Sequence, residues 1–278
     1  MGNLDPVSSA VTCLFFKEQC PEVVTSDEGT DPYSRTLAEL VLSKVKRRME
    51  EDTKTTKLYE IKEGDEFWEG KTPFKGLDGG SWKTWLIQTG NQFRLPPPPA
   101  ISSPEDQKEL ELVRNIFPTL TDKQKSAIAF WAAGPGTKTA AGLWLKLGGD
   151  WMKKNQTGIG PALRIRSILA MAIADTEIAS LDSKYTYWVK RPFMRDPTIL
   201  TFMPTPNHPS YPSDSAAIAS VAAALLAHYF PVAKEHWNTL LAESARSRTD
   251  SGIHFPSDVE QALALGKDIA QSVIKKEE

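Results

Sequence analysis

The chain has 278 residues, 33 basic and 35 acidic side chains, a net charge of −2 at neutral pH and 40% apolar residues. That composition suits a globular protein with ample material for a core, in one large domain or two modest ones. There is no global basic field to recruit nucleic acid, so any anion recognition has to be local.

Residues 1–31 read as an irregular arm. Its opening, MGNLDPVSSAVTCLFF, has no basic n-region and only a short apolar stretch, which makes it a poor signal peptide. Cys13 and Cys20 lie seven apart with no His or Cys at metal spacing. That argues against zinc and leaves a local disulfide or two plain thiols open. The stretch 31–51, DPYSRTLAELVLSKVKRRMEE, has a capping start followed by Leu37, Leu40, Val41 and Val45 at helical spacing, which predicts a helix. Residues 52–103 are rich in Gly, Pro and Trp. They read as a long irregular decoration pinned by Trp68, Trp82 and Trp85, with Pro96, Pro97, Pro98 and Pro99 favouring an extended polyproline strand.

From Ser103 the pattern is helical almost to the end. SPEDQKELELVRNIF puts Ser103 at an N-cap, Pro104 at the first helical position and acids in the first turn. TDKQKSAIAFWAA follows the same grammar. Further helices are predicted at 137–154, 160–190, 213–230, 231–246 and 257–274. The longest weakly polar run, AAIASVAAALLAHYF at 216–230, is too short to span a bilayer and contains His228, so it reads as a buried helix. With little strand signal and no repeat of fixed period, these elements predict an all-α helical bundle. Residues 32–278 form its single domain, and 52–103 decorate it.

Three stretches carry chemistry. In KYTYWVKRP, Lys184 and Arg191 are seven apart, so on a helix they project from one face; a point charge and a bidentate fork together suit a tetrahedral oxyanion. In HPSYPSDSAA, Ser213 stands where a helix N-cap belongs, and Asp214 and Ser215 fall in the first turn, a natural anion seat. In SRTDSGIHFPSD, His254 follows Arg248 by six and precedes Asp258 by four; a carboxylate on one ring nitrogen fixes the tautomer and raises the nucleophilicity of the other. His228 and His236 have no partner at useful spacing.

Taken in order, Lys-x6-Arg-Pro, Pro-Ser-x-x and Ser-Arg-x5-His-x3-Asp resemble the three-part signature of one superfamily. It is shared by type 2 phosphatidic acid phosphatases, bacterial non-specific acid phosphatases and vanadium haloperoxidases. Lys184, Arg191, Pro192, Pro212, Ser213, Ser247, Arg248, His254 and Asp258 match it. The resemblance, to the soluble bacterial branch, implies a helical bundle of the acid phosphatase/haloperoxidase type. It further implies that Lys184, Arg191 and Arg248 clamp a phosphate or vanadate, with Ser213 and the following N–H completing the contacts. His254 would then attack phosphorus to give a phosphohistidine, or bond vanadate in a peroxidase, and Asp258 would orient it.

The departure lies in the second motif, where Pro-Ser-Asp-Ser stands in place of Pro-Ser-Gly-His. Asp214 replaces a glycine, and Ser215 replaces the acid that protonates the leaving group, a loss of about 10²–10⁴-fold. A carboxylate beside the seat repels an anion unless it is protonated or faces away. His208 is the candidate replacement acid; otherwise the substrate carries a leaving group that needs no proton.

The main expectation is thus a slow phosphoryl hydrolase of the acid-phosphatase kind, acting on small phosphate esters without a cofactor. The first alternative is a vanadium-dependent haloperoxidase using vanadate, halide and peroxide. The second is a degenerate member that binds phosphate without turnover. The wording GIHFPSDVE favours the phosphatase branch, whereas some bacterial haloperoxidases share the missing acid histidine. Charge and hydropathy add no nucleic-acid partner and no transmembrane segment; the resemblance adds small-molecule partners, leaves a homodimer open and favours an exported location, which the residues themselves do not fix.

Overall fold

The computed structural model describes residues 57–133 and 137–277, with Ser43, residues 45–48, Glu50 and Glu51 of a preceding helix. The arm at 1–31, Cys13, Cys20 and most of the helix expected at 31–51 lie outside the described residues. Eight α-helices follow among the described ones. They are α1 Pro104–Ile116, α2 Asp122–Trp131, α3 Thr139–Lys154, α4 Ile159–Tyr187, the single turn α5 Pro192–Arg195, α6 Asp214–Tyr229, α7 Lys234–Asp250 and α8 Pro256–Glu277. The all-α expectation holds, and apart from one isolated bridge between Phe67 and Val189 no strand pairing is seen among the described residues.

Local sequence explains where several helices start. Ser103 Oγ accepts the Asp106 N–H, Pro104 takes the first helical position, and Glu105 and Asp106 complement the positive end of α1. Thr121 and Gln124 close a reciprocal capping box on α2. The helix end before Arg191 departs from expectation. Instead of running to residue 190, α4 ends at Tyr187, because Trp188 takes the left-handed conformation (φ 54°) and returns its N–H to Lys184 O at 2.9 Å. A buried aromatic nest of Trp188 with Trp68, Phe74 and Tyr185 offsets the strain of that positive φ. Pro192 keeps Arg191 extended (ψ 157°), and Arg191 becomes the N-cap position of α5. Lys184 and Arg191 therefore do not share a helix face; a chain reversal brings them together.

Helix α6, nearly all Ala, Ile, Val and Leu, is buried on almost every side at the centre of the bundle, flanked by α8, α7 and α4. No helix of the described residues is long and apolar enough to cross a membrane.

The irregular segment is held to α4 mainly by carboxylates. Asp175 accepts the backbone N–H groups of Trp85, Leu86 and Ile87 at 2.7, 2.6 and 2.9 Å. Asp182 accepts two bonds from Arg94, at 2.8 and 2.7 Å, and one from the Tyr59 hydroxyl. The expected tryptophan pins are present but unequal: Trp68 is fully buried, Trp82 Nε1 donates to Asp78, and Trp85 lies under the Arg48 guanidinium. Asp175→Ala strips the acceptor from three N–H groups at once. With about 1–3 kcal/mol lost per donor left buried and unpaired, less where water reaches, we expect about 3 kcal/mol of destabilisation, read from the urea midpoint.

Candidate active site

The loop between α5 and α6 wraps its carbonyls around one ammonium. Lys184, fully buried near the end of α4, donates through Nζ to the carbonyls of Pro209, Ser210 and Pro212. The Arg191 guanidinium donates to the carbonyls of His208 and Ile253, and its Nη1 and Nη2 lie 3.5 Å from His254 Nε2 and 3.4 Å from His208 Nδ1. Arg248, in the last turn of α7, donates to Trp131 O and to Ser247 Oγ. Burial pushes all three cations down, Lys184 to about 8 and both arginines to about 10. Neutral carbonyls compensate such charges only in part, so the cluster calls for an anion.

His254 leads into α8, whose first turn carries Asp258. One carboxylate oxygen, Oδ2, lies 3.1 Å from His254 Nδ1 and also accepts Ser210 Oγ at 2.5 Å and Phe255 N–H at 2.9 Å. Burial, against the opposing pull of Asp258, lowers the His254 pKa to about 4. The ring is thus neutral at physiological pH. With its proton on Nδ1 toward Asp258, it presents the Nε2 lone pair to Arg191 and the cluster.

At the start of α6, Ser213 is buried and its N–H donates to Asp258 O at 3.0 Å. It occupies the N-cap position as expected, yet its side chain makes no capping bond, and Oγ has no hydrogen-bond partner at all. That hydroxyl is the kind of unspent donor an oxyanion seat needs. Asp214 neither turns away nor sits protonated. Its Oδ1 is 3.8 Å from Lys184 Nζ and its Oδ2 is 3.7 Å from His208 Nε2. Burial alone would raise its carboxyl, but the charge of Lys184 above all overrides that and holds it well below the usual range. Ser215 is half-buried next to it and enters none of these bonds.

His208 is already inside the cluster, with Nδ1 3.2 Å from Pro209 O. Burial first, then Lys184, push its pKa well below the ordinary value, so the ring carries no charge at neutral pH. His236 stacks on Trp151 and His228 lies edge-on to Tyr229, both away from the cluster.

Three neighbours were not legible from the motifs. Ser210 ties the loop to Asp258. Lys75, from the irregular segment, interacts electrostatically with Asp214, His208 and Glu177. Glu177 precedes Lys184 by seven on α4, a spacing that was available to find it. Its Oε2 is buried with no hydrogen-bond partner, and burial, then Asp214, push its carboxyl up to about 7. Among the described residues no group of three or more His, Cys, Asp or Glu is placed to hold a metal ion.

The comparisons with known proteins bear on the superfamily and the fold. Residues 165–274, which hold every member of the cluster except Lys75, match the model of the PAP2 superfamily. The fold is that of a crystal structure described as the first bacterial vanadium-dependent iodoperoxidase: TM-score 0.74, 21% identity, 87% of this chain and 69% of that one covered. A holo-type bacterial vanadium-dependent chloroperoxidase gives TM-score 0.74 at 13% identity, with 97% of this chain and 80% of that one covered. An apo-type counterpart gives 0.72 at 14%, with 99% and 84% covered. No curated protein matches the chain.

Proposed function

We propose that this chain, which resembles the PAP2 and vanadium haloperoxidase superfamily, is a hydrolase of small phosphate esters working through His254. One observation carries the reading: a neutral imidazole, held at Nδ1 by Asp258, turns Nε2 toward Arg191 in a nest of three buried cations. Phosphoryl transfer asks little else of a protein than an in-line nucleophile and fixed positive charge around the equatorial oxygens. Lys184, Arg191 and Arg248 supply the charge, and Ser213 Oγ a free donor. An arriving phosphate shares Lys184 with Asp214, which favours slow turnover and weak ground-state binding over tight capture.

The test is p-nitrophenyl phosphate hydrolysis against pH. His254 has to be unprotonated, so kcat/KM rises with pH through about 4. Lys184 has to be charged, so the rate is lost above about pH 8. A chain that binds phosphate and shows no turnover at any pH is instead a degenerate binder, and the hydrolase reading falls.

The haloperoxidase reading is supported by the structural neighbours, which extend over 87–99% of the chain and so take in the irregular segment that the family match leaves out. The unpaired Ser213 Oγ, the three cations and His254 Nε2 suit vanadate, with Asp214 the one discordant charge. Bound there, vanadate would supply peroxide activation for halide oxidation. Bromide oxidation after loading with orthovanadate, in a sample that does not hydrolyse phosphate esters, is the result that selects it.

A further inference from the structure

The motifs leave this site without a proton donor, because Ser215 stands where the acid histidine belongs. We infer that Glu177 is that donor: it protonates the leaving oxygen of the phosphate ester and later takes a proton from the attacking water. The inference rests on the hydrolase reading above.

The argument starts from direction. In-line displacement by His254 Nε2 places the leaving oxygen on the far side of phosphorus. His254, Arg191, Arg248, Lys184 and His208 are all fully buried, so the leaving group departs toward the members that touch solvent. Those are Lys75, Glu177, Asp214 and Ser215, each partly exposed. Asp214 is held ionised and cannot donate. A serine hydroxyl gives up no proton near neutrality, and a lysine ammonium is in general too weak an acid to give one readily. Glu177 remains. It lies two helical turns before Lys184, on the same face of α4, and its carboxyl interacts with Asp214, Lys75, Lys184 and Tyr185. Its Oε2 is shut off from solvent and bonds to nothing, the geometry of a group whose partner arrives with the substrate. Asp214 also sets the charge state. Two carboxylates near one seat do not both ionise easily, and the one beside Lys184 and His208 keeps the charge, leaving the proton on Glu177 up to a pH of about 7.

The steps balance. The Nε2 lone pair of His254 bonds to phosphorus as the P–O bond breaks. The electron pair leaves on oxygen, which takes the Glu177 proton and departs as an alcohol. Water then attacks the phosphohistidine, Glu177 carboxylate takes its proton, and the P–N pair returns to Nε2 as phosphate is released.

The experiment compares wild type with Glu177→Gln at pH 6, where both side chains are neutral and similar in shape. Substrates are p-nitrophenyl phosphate, whose leaving group needs little help, and a simple alkyl phosphate, whose alkoxide does. We expect the variant to lose about 10²–10⁴-fold in kcat/KM on the alkyl phosphate and under about threefold on p-nitrophenyl phosphate. Circular dichroism and the urea midpoint of the variant, measured alongside, show that the fold is intact. On the alkyl phosphate the alkaline limb of the wild type lies near 7 and moves toward 8 in the variant, where Lys184 takes over, while on p-nitrophenyl phosphate it stays near 8 in both. Equal losses on both substrates, or no loss on either, overturn the role of Glu177 while leaving the hydrolase standing. A wild type inert on both overturns the two together.

Discussion

His254→Ala is expected to lower kcat/KM on p-nitrophenyl phosphate by at least about 10⁴-fold, the scale seen when a nucleophile is removed and only binding and charge stabilisation remain. The size follows from how completely the site commits to this ring. Asp258 Oδ2, Ser210 Oγ and the Phe255 N–H form one network that fixes Nδ1, and Arg191 Nη1 stands 3.5 Å from Nε2. Among the described residues no other histidine has a carboxylate at hydrogen-bonding distance: His208 Nε2 meets Asp214 Oδ2 only at 3.7 Å. Asp258→Asn keeps the shape and loses the charge that orients the ring; by analogy with other oriented imidazoles it should cost about 10⁴-fold. Phosphate binding, measured by calorimetry on both variants, should persist, since Lys184, Arg191 and Arg248 are untouched. A variant that keeps more than a tenth of the activity would remove His254 from the chemistry.

A large effect on stability is expected at Gly266. Helices α6 and α8 make the most extensive contact in the bundle, and Gly266 of α8 packs directly against the α6 backbone at Ala217 and Val221. A Cβ there would stand 2.4 Å from Ala217 O and 2.7 Å from Val221 N, both backbone atoms that cannot rotate away. Gly266→Ala must therefore push the helices apart. Overpacking typically costs about 1–3 kcal/mol, and a clash with backbone belongs at or above the top of that range, so about 3 kcal/mol of lost stability is expected in urea. Activity should fall with it even in the folded fraction, because α6 begins beside Ser213 and Asp214 while α8 carries Asp258 in its first turn. Gly160→Ala is the contrast. Nothing lies within 4 Å of its added Cβ, the site is an exposed helix turn, and the change should be neutral or stabilising by about 0.5 kcal/mol. Equal effects at the two glycines would refute the close-approach argument.

The contrast between the two sites also shows what could be read in advance. The caps of α1 and α2 were legible because Ser103, Pro104, Thr121 and Gln124 act on their own neighbours within four residues. The buried run of α6 was legible because composition alone decides that no face of it can meet water. His254 with Asp258, and the cations Lys184, Arg191 and Arg248, were legible because spacing along the chain survives folding.

What tertiary structure decided has a single physical reason: it depends on groups far apart in sequence meeting in a low-dielectric interior. Trp188 ends α4 early because its ring is needed in a nest with Trp68 and Phe74, about 120 residues upstream, so Lys184 and Arg191 converge by a turn and not along a helix. Ser213 was expected to cap and leaves its hydroxyl unpaired. Asp214 was expected to be protonated or turned away if the seat were to work. Instead it stays ionised, because the Lys184 ammonium is brought within 4 Å of it. Order and spacing along the chain were enough to pick out the residues proposed above to hold and attack a phosphorus centre. Only the packing of α4, α6 and the irregular segment around one seat decided their charge states, and it adds to them Glu177, the residue outside the motifs proposed above as the proton donor.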